Sequence, residues 1–157
     1  MRTPLACALQ LGLTLIVATG CQNEPKSFRV ADNDFREFKE DVLPVLLRDC
    51  GFHTCHGAGE RFFRVYGPGR ARLNPAARAF DLPSGDEVDL SYRLALSMID
   101  AEHPQESLLL RKPLAVEAGG AAHLGADAFG RNVYRTVNDS GYLVLARWVL
   151  GPSVATP

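Results

Sequence analysis

Two thiols and two imidazoles fall within one short segment, Cys50-Gly51-Phe52-His53-Thr54-Cys55-His56. This set of residue types supports three chemistries. The cysteines alone can close a short disulfide loop where the compartment is oxidising. With a histidine they offer three ligands to a metal ion such as zinc, and the segment holds no obvious fourth. Two thiols that reach the two vinyl groups of one porphyrin, followed by a histidine that meets the iron, attach a haem c. Cys55-His56 supplies the second half of that last pattern. The first half is stretched, with four residues between the cysteines where the usual pattern has two.

The elements around the segment must deliver these side chains. Phe35, Phe38, Val42, Val45 and Leu46 recur at helical spacing behind Asp32 or Asp34 as N-cap, which predicts a helix over 34–49 ending at Cys50. Pro44 is expected to kink it. The stretch 57–85, rich in Gly, Pro and Arg, reads as loops with a small hairpin. A second helix is expected over 88–100, with Val88, Tyr92, Ala95 and Ile99 on one face, Asp86 near its start and His103-Pro104 ending it. The run 118–125, Gly- and Ala-rich, suits neither helix nor strand and reads as a pliable loop holding His123. A third helix is predicted over 140–150, capped by Asp139, with Tyr142, Leu145, Trp148 and Val149 on its apolar face and Gly151-Pro152 stopping it. The expected fold class is mainly α, a small helical domain with a loop-rich middle.

The chain has 157 residues, which suits one domain, and its 46% hydrophobic and 22% charged content fits a soluble globular protein. Arg2 is the only charge before the apolar stretch from Leu5 to Ala18, which reads as an export signal. That stretch is shorter than the ~20 residues a membrane-spanning helix needs. The residues Ala18-Thr19-Gly20-Cys21 resemble the lipobox of bacterial lipoproteins, with Ala18 where Leu is usual. The resemblance implies lipidation at Cys21, cleavage before it, and a membrane anchor stable enough to hold a domain. The organisation expected is a signal over 1–20, a tether over 21–31, the domain over 32–151 and a tail over 152–157. Taking Arg2 from the 17 basic residues leaves 16 against 18 acidic, a formal charge of -2, so no nucleic-acid partner is expected. Cys7 leaves with the signal, and Cys50 and Cys55 remain as the one pair in an oxidising envelope. Gln22 in place of Asp resembles outer-membrane sorting.

The run 38–46, then Cys50, then Cys55-His56-Gly57 resembles the start of cytochrome c-like domains. The stretches 104–112 and 142–151 resemble their middle and end. The resemblance spans about residues 35 to 151, and it is the order of the pieces that carries it. It implies one covalent haem c on Cys50 and Cys55, His56 as proximal axial ligand, and first and last helices packed beside the haem. Attachment sites with the C-x4-C-H spacing resemble those of some multihaem cytochromes, in which the extra residues bulge while both sulfurs keep their contacts.

In such domains the distal ligand sits in the loop before the last helix. His123 lies there and is the candidate; the alternative is Met98, the one methionine after Met1, whose expected place inside the second helix makes core packing its role. His53 is too close to His56 to reach the opposite face, and His103 reads as a helix-ending residue. Two imidazoles donate more strongly to iron than imidazole plus thioether, so a bis-His site is expected to have a low potential and no vacancy for oxygen or peroxide. Arg61, Arg64, Arg70 and Arg72 follow the motif and can pair with propionates or lie solvated.

The expectation is therefore a lipid-anchored monohaem electron carrier facing the periplasm or cell exterior, with the membrane and envelope redox proteins as partners. It competes with a haem enzyme or sensor that has an open distal side, and with a haem-free envelope lipoprotein stapled by a Cys50-Cys55 disulfide.

Overall fold

The computed structural model of the chain describes residues 33–123 and 133–151. The expected signal, the tether with Cys21 and the tail lie outside the described residues. Among those described the architecture is mainly α, with no strand and only two isolated bridges, Tyr66 to Ala71 and Leu114 to Tyr134. The small hairpin expected within 57–85 is not formed.

Helix α1 runs from Phe35 to Cys50 in four consecutive segments. Phe35–Glu37 and Leu43–Val45 are α-wound; Phe38–Val42 and Leu46–Cys50 are π-wound. Asp34 caps it by accepting from the Glu37 N–H at 2.6 Å, which satisfies a first-turn amide. Pro44 has no N–H to give, and its ring crowds the carbonyl four residues back. The chain widens around it, with the Leu43 N–H reaching the Phe38 carbonyl, so the proline is taken up by π turns and the helix continues to Cys50.

Helix α2 spans Gly85–Leu96, earlier at both ends than the periodicity predicts. Its start is set by a capping box. The Ser84 hydroxyl accepts from the Glu87 N–H at 3.2 Å, and the Glu87 carboxylate accepts from the Ser84 N–H at 2.9 Å. At the other end the Met98 N–H turns back to the Ala95 carbonyl. Met98 therefore lies beyond the helix, and His103 does not end it. A 3-10 turn at Pro104–Glu106, the short helix α3 at Leu108–Arg111 and a second 3-10 turn at Val116–Ala118 follow.

Helix α4 is Ser140–Leu150, as the sequence predicts. Asp139 stands at its N-cap position but does not bond the helix amides. Its carboxylate accepts instead from the Arg135 and Thr136 N–H groups, bracing the turn before the helix.

The core joins the first and last helices. Phe38 is fully buried, and its ring lies 5.4 Å from both Trp148 and Tyr92. The Trp148 indole N–H donates to the Asp34 carbonyl at 2.9 Å, and the Tyr92 hydroxyl to the Asn33 carbonyl at 2.6 Å. Arg147 on α4 pairs with Glu37 and Asp41 on α1 at 2.9 and 2.7 Å. Burial of a large apolar side chain contributes about 1.5–3 kcal/mol, whereas exposed ion pairs contribute ~1 kcal/mol or less. Phe38, Leu46, Leu145 and Trp148 therefore hold α1 against α4, and the arginine fixes their register.

The loop between α1 and α2 is held by a single hub. Arg72 forms a two-pronged pair with Glu87 at 2.9 and 3.0 Å and donates to the carbonyls of Arg78, Asp81 and Leu82. Glu87 is buried in the first turn of α2 and also accepts from the Leu73 N–H at 2.8 Å.

Candidate functional site

The C-terminal end of α1 delivers Cys50 to a cavity of about 330 Å³. Gly51 follows, its N–H bonded to the Leu46 carbonyl at 2.8 Å, and the chain then folds back on itself. The His56 N–H returns to the Cys50 carbonyl at 3.0 Å, while the Cys55 and Gly57 N–H groups both reach the Phe52 carbonyl. The stretched spacing thus becomes a closed turn. Phe52, His53 and Thr54 are exposed on its outside, and Cys50, Cys55 and His56 line the cavity. Gly57 makes this turn possible, because a Cβ there would stand 2.1 Å from the Gly51 carbonyl oxygen.

Both cysteines are free thiols. Burial against the core pushes the Cys50 thiol up to about 12, and the neighbouring Asp49 carboxylate and Cys55 add to this. An unmodified Cys50 would therefore stay protonated over the ordinary pH range.

His56 is oriented by the backbone. Its Nδ1 lies 2.9 Å from the Phe63 carbonyl, which can only accept, so the proton is on Nδ1 and the Nε2 lone pair is free. The ring packs edge-on against Phe63. Burial holds its pKa below the ordinary histidine value, with nearby Arg61 acting in the same sense and the Phe63 bond against it.

His123 lines the same cavity as His56. The two rings are parallel to within 10°, with centroids 5.8 Å apart. His123 is also held below the ordinary value, by burial first and then by His56 and Lys112. Both rings therefore stand neutral near pH 7, which is the form that ligates a metal. The buried Nδ1 of His123 has no hydrogen-bond partner among the described residues.

Met98 also lines the cavity and is only part-buried. The expectation that it lies inside the second helix is corrected, because α2 ends before it, whereas its side chain does pack against the core. Its carbonyl accepts from the Leu109 N–H at 3.1 Å, which ties the post-helix turn to α3. His53 is exposed on the outside of the turn and His103 sits in the surface turn after α2, bonded to Asp100. Neither lines the cavity.

Of the arginines, only Arg61 lines the cavity. Arg64 bonds the Gly59 carbonyl and lies over Tyr66, Arg70 bonds the Leu47 carbonyl and lies over Phe52, and Arg72 is committed to Glu87. Arg61 donates to the Thr54 carbonyl at 3.3 Å, so all four have a local structural partner.

Two further features escape the sequence reading. Asp49 lines the cavity beside Cys50 and accepts from the Tyr134 hydroxyl at 2.8 Å, while Arg48 holds its carboxylate from the solvent side at 2.7 Å. Burial raises the Tyr134 hydroxyl above its ordinary value, with Cys50 and Asp49 contributing. Gly141 on α4 leaves room for this pair, since a Cβ there would stand 2.6 Å from both the Asp49 carboxylate and the Tyr134 hydroxyl. Nothing in local sequence links positions 49, 134 and 141.

Among the described residues, no three His, Cys, Asp or Glu side chains converge as a metal-binding group. The set brought together is two thiols, two parallel imidazoles and a largely apolar wall that includes Leu46, Phe63, Leu109 and Leu145. No helix among the described residues is long and apolar enough to cross a membrane. In comparisons with protein-family models, with curated proteins and with solved structures, the chain finds no match.

Proposed function

We propose that the chain is a lipid-anchored monohaem cytochrome of c type that passes electrons in the cell envelope. The observation that carries this reading is the meeting of Cys50, Cys55, His56 and His123 around one cavity, with the two imidazoles parallel at 5.8 Å. A separation of ~6 Å leaves room for one metal ion between two imidazoles whose in-plane nitrogens turn toward it at about 2 Å. The cavity volume falls within the range of small-molecule and cofactor pockets.

The residues fit the group by their chemistry. Cys50 and Cys55 offer two thiols as thioether donors. His56, its tautomer fixed by the Phe63 carbonyl, offers a free Nε2 lone pair, and the unpartnered ring nitrogen of His123 is an unmet bonding capacity that coordination by that ring would account for. A haem c bound there supplies a one-electron iron couple. The chain's own part would be to exclude water with Phe63, Leu109 and Leu145 and to offer His56 and His123 as the iron's ligands. Two protein ligands on the iron would favour electron transfer over oxygen or peroxide chemistry. The packing of α1 on α4 beside the cavity also agrees with a cytochrome c-like fold.

The test is the protein exported to the periplasm of a host that matures c-type cytochromes. After acid-acetone extraction and denaturation it should keep the absorbance of an alkaline pyridine haemochrome, at one haem per chain. A colourless product with a Cys50–Cys55 disulfide by mass spectrometry would overturn the reading.

A further inference from the structure

Resting on the haem reading above, we propose that Lys112 is a positioning residue that holds His123 in place by fastening the strap over residues 119–123, and so keeps the site closed to external ligands. The imidazole of His123 has no hydrogen bond at Nδ1 and touches His56 only by ring contact, so the ties of its backbone contribute to where the ring stands. That backbone is tied down one residue after another. The Gly119 N–H bonds the Val116 carbonyl at 3.0 Å, the Gly120 N–H the Ala115 carbonyl at 2.9 Å, and the Ala121 N–H the Arg111 carbonyl at 2.8 Å. The last tie before His123 comes from a side chain, as the Lys112 ammonium donates to the Ala122 carbonyl at 2.8 Å.

The glycines serve close approach here. A Cβ on Gly120 would stand 1.9 Å from the Leu114 carbonyl oxygen, so only glycine lets the strap lie on the segment that carries Lys112. Gly119 turns the chain into the strap with φ at +95°, a conformation that L side chains rarely adopt. Lys112 and His123 line the same cavity. A strap fixed along its length presents its histidine ready-placed, and an external ligand must break those ties to displace it.

The test uses the full-length, haem-loaded protein with Lys112→Met, which keeps the aliphatic stem and removes the donor, Lys112→Arg, which keeps a donor, and Gly120→Ala. Haem content by pyridine haemochrome, the spin state of the reduced protein and its carbon monoxide affinity are measured for each. Lys112→Met should keep covalent haem yet bind carbon monoxide at least about tenfold more tightly, the change that ~1.4 kcal/mol of lost positioning produces. Lys112→Arg should restore the closed, low-spin site, and Gly120→Ala should open it as Lys112→Met does. A haem-loaded wild type whose Lys112→Met and Gly120→Ala variants both stay low-spin and as closed as the parent overturns this proposal alone. A wild type without haem overturns the parent reading, and this proposal with it. If one variant fails to accumulate, the other decides by the same two measurements.

Discussion

The imidazoles of His56 and His123 lie parallel to within 10° at one cavity, 5.8 Å between centroids, although 67 positions separate them in the chain. One is fixed through its ring, by the Phe63 carbonyl, and the other through its backbone strap. Met98 lines the same cavity, so on the proposed haem reading His123 and Met98 are the two candidates for the second ligand of the iron.

His123→Ala should turn a six-coordinate, low-spin reduced protein into a high-spin one that binds carbon monoxide, because removal of the ring opens a coordination position. Met98→Ala should leave the spin state alone and lower stability by about 2 kcal/mol, the low end for a methionine truncation since the side chain is only part-buried. Optical spectra of the two reduced variants check this. Loss of the low-spin signature in Met98→Ala alone would make Met98 the ligand and the site a higher-potential His/Met one.

Arg72 and Glu87 carry the most buried ion pair among the described residues, and they bind the α1–α2 loop to the start of α2. Removing one partner leaves a buried charge uncompensated, so Arg72→Met should cost about 3–5 kcal/mol in urea unfolding. The pH dependence has a definite sign. Burial alone would raise the Glu87 carboxyl, but Arg72 and the Ser84 and Leu73 amides outweigh it and hold the group below its ordinary value. The stabilisation is therefore fully present above the unfolded value of about 4.3 and is lost as pH falls through the lower folded value. Unfolding curves of wild type and Glu87→Gln at descending pH should differ in slope in that window, the variant being flatter.

Helices α1 and α4 were legible because apolar periodicity and punctuation agree there: Asp34 ahead of one, Gly151-Pro152 behind the other. The meeting of Cys50, Cys55 and His56 was legible for a similar reason, since residues seven apart or fewer can be gathered by one turn. What stayed hidden depends on contacts distant in sequence or on ambiguous residues. Arg72 reads as a solvated loop arginine until Glu87, fifteen residues on, is seen beside it. Met98 reads as helical because the face of Val88, Tyr92 and Ala95 continues in register past Leu96, where the helix in fact ends. The Gly119-Gly120 pair reads as pliability, since glycine serves both loose and tightly apposed backbone, and only the Leu114 carbonyl beside Gly120 distinguishes the two.

Cys21 lies outside the described residues, so its role rests on the lipobox-like residues before it. Cells fed a palmitate analogue should label the wild-type chain and not Cys21→Ser, with the unlabelled variant retaining its haem. Equal labelling of both would place the anchor elsewhere or remove it from the reading.

The Cys50 thiol gives the last prediction, made for the reduced chain produced without haem. Burial, with Asp49 and Cys55 acting in the same direction, pushes it up to about 12. At pH 8 a thiol with that value is about 10⁻⁴ thiolate, whereas an ordinary one with a value of about 8.5 is roughly a quarter thiolate. Alkylation of Cys50 by iodoacetamide should therefore be at least about a hundredfold slower in the folded chain than in urea, as peptide mapping of timed samples would read. The same shift has a consequence for stability. Between about pH 8.5 and 12 the unfolded chain has lost this proton and the folded chain has kept it, so stability falls as pH rises through that window. Cys50→Ala should remove this alkaline loss, and in the haem-loaded protein the thiol should be unreactive under every condition because its sulfur is already a thioether. Rapid labelling of Cys50 in the folded, haem-free chain would mean that the thiol is not seated against the core at the end of α1.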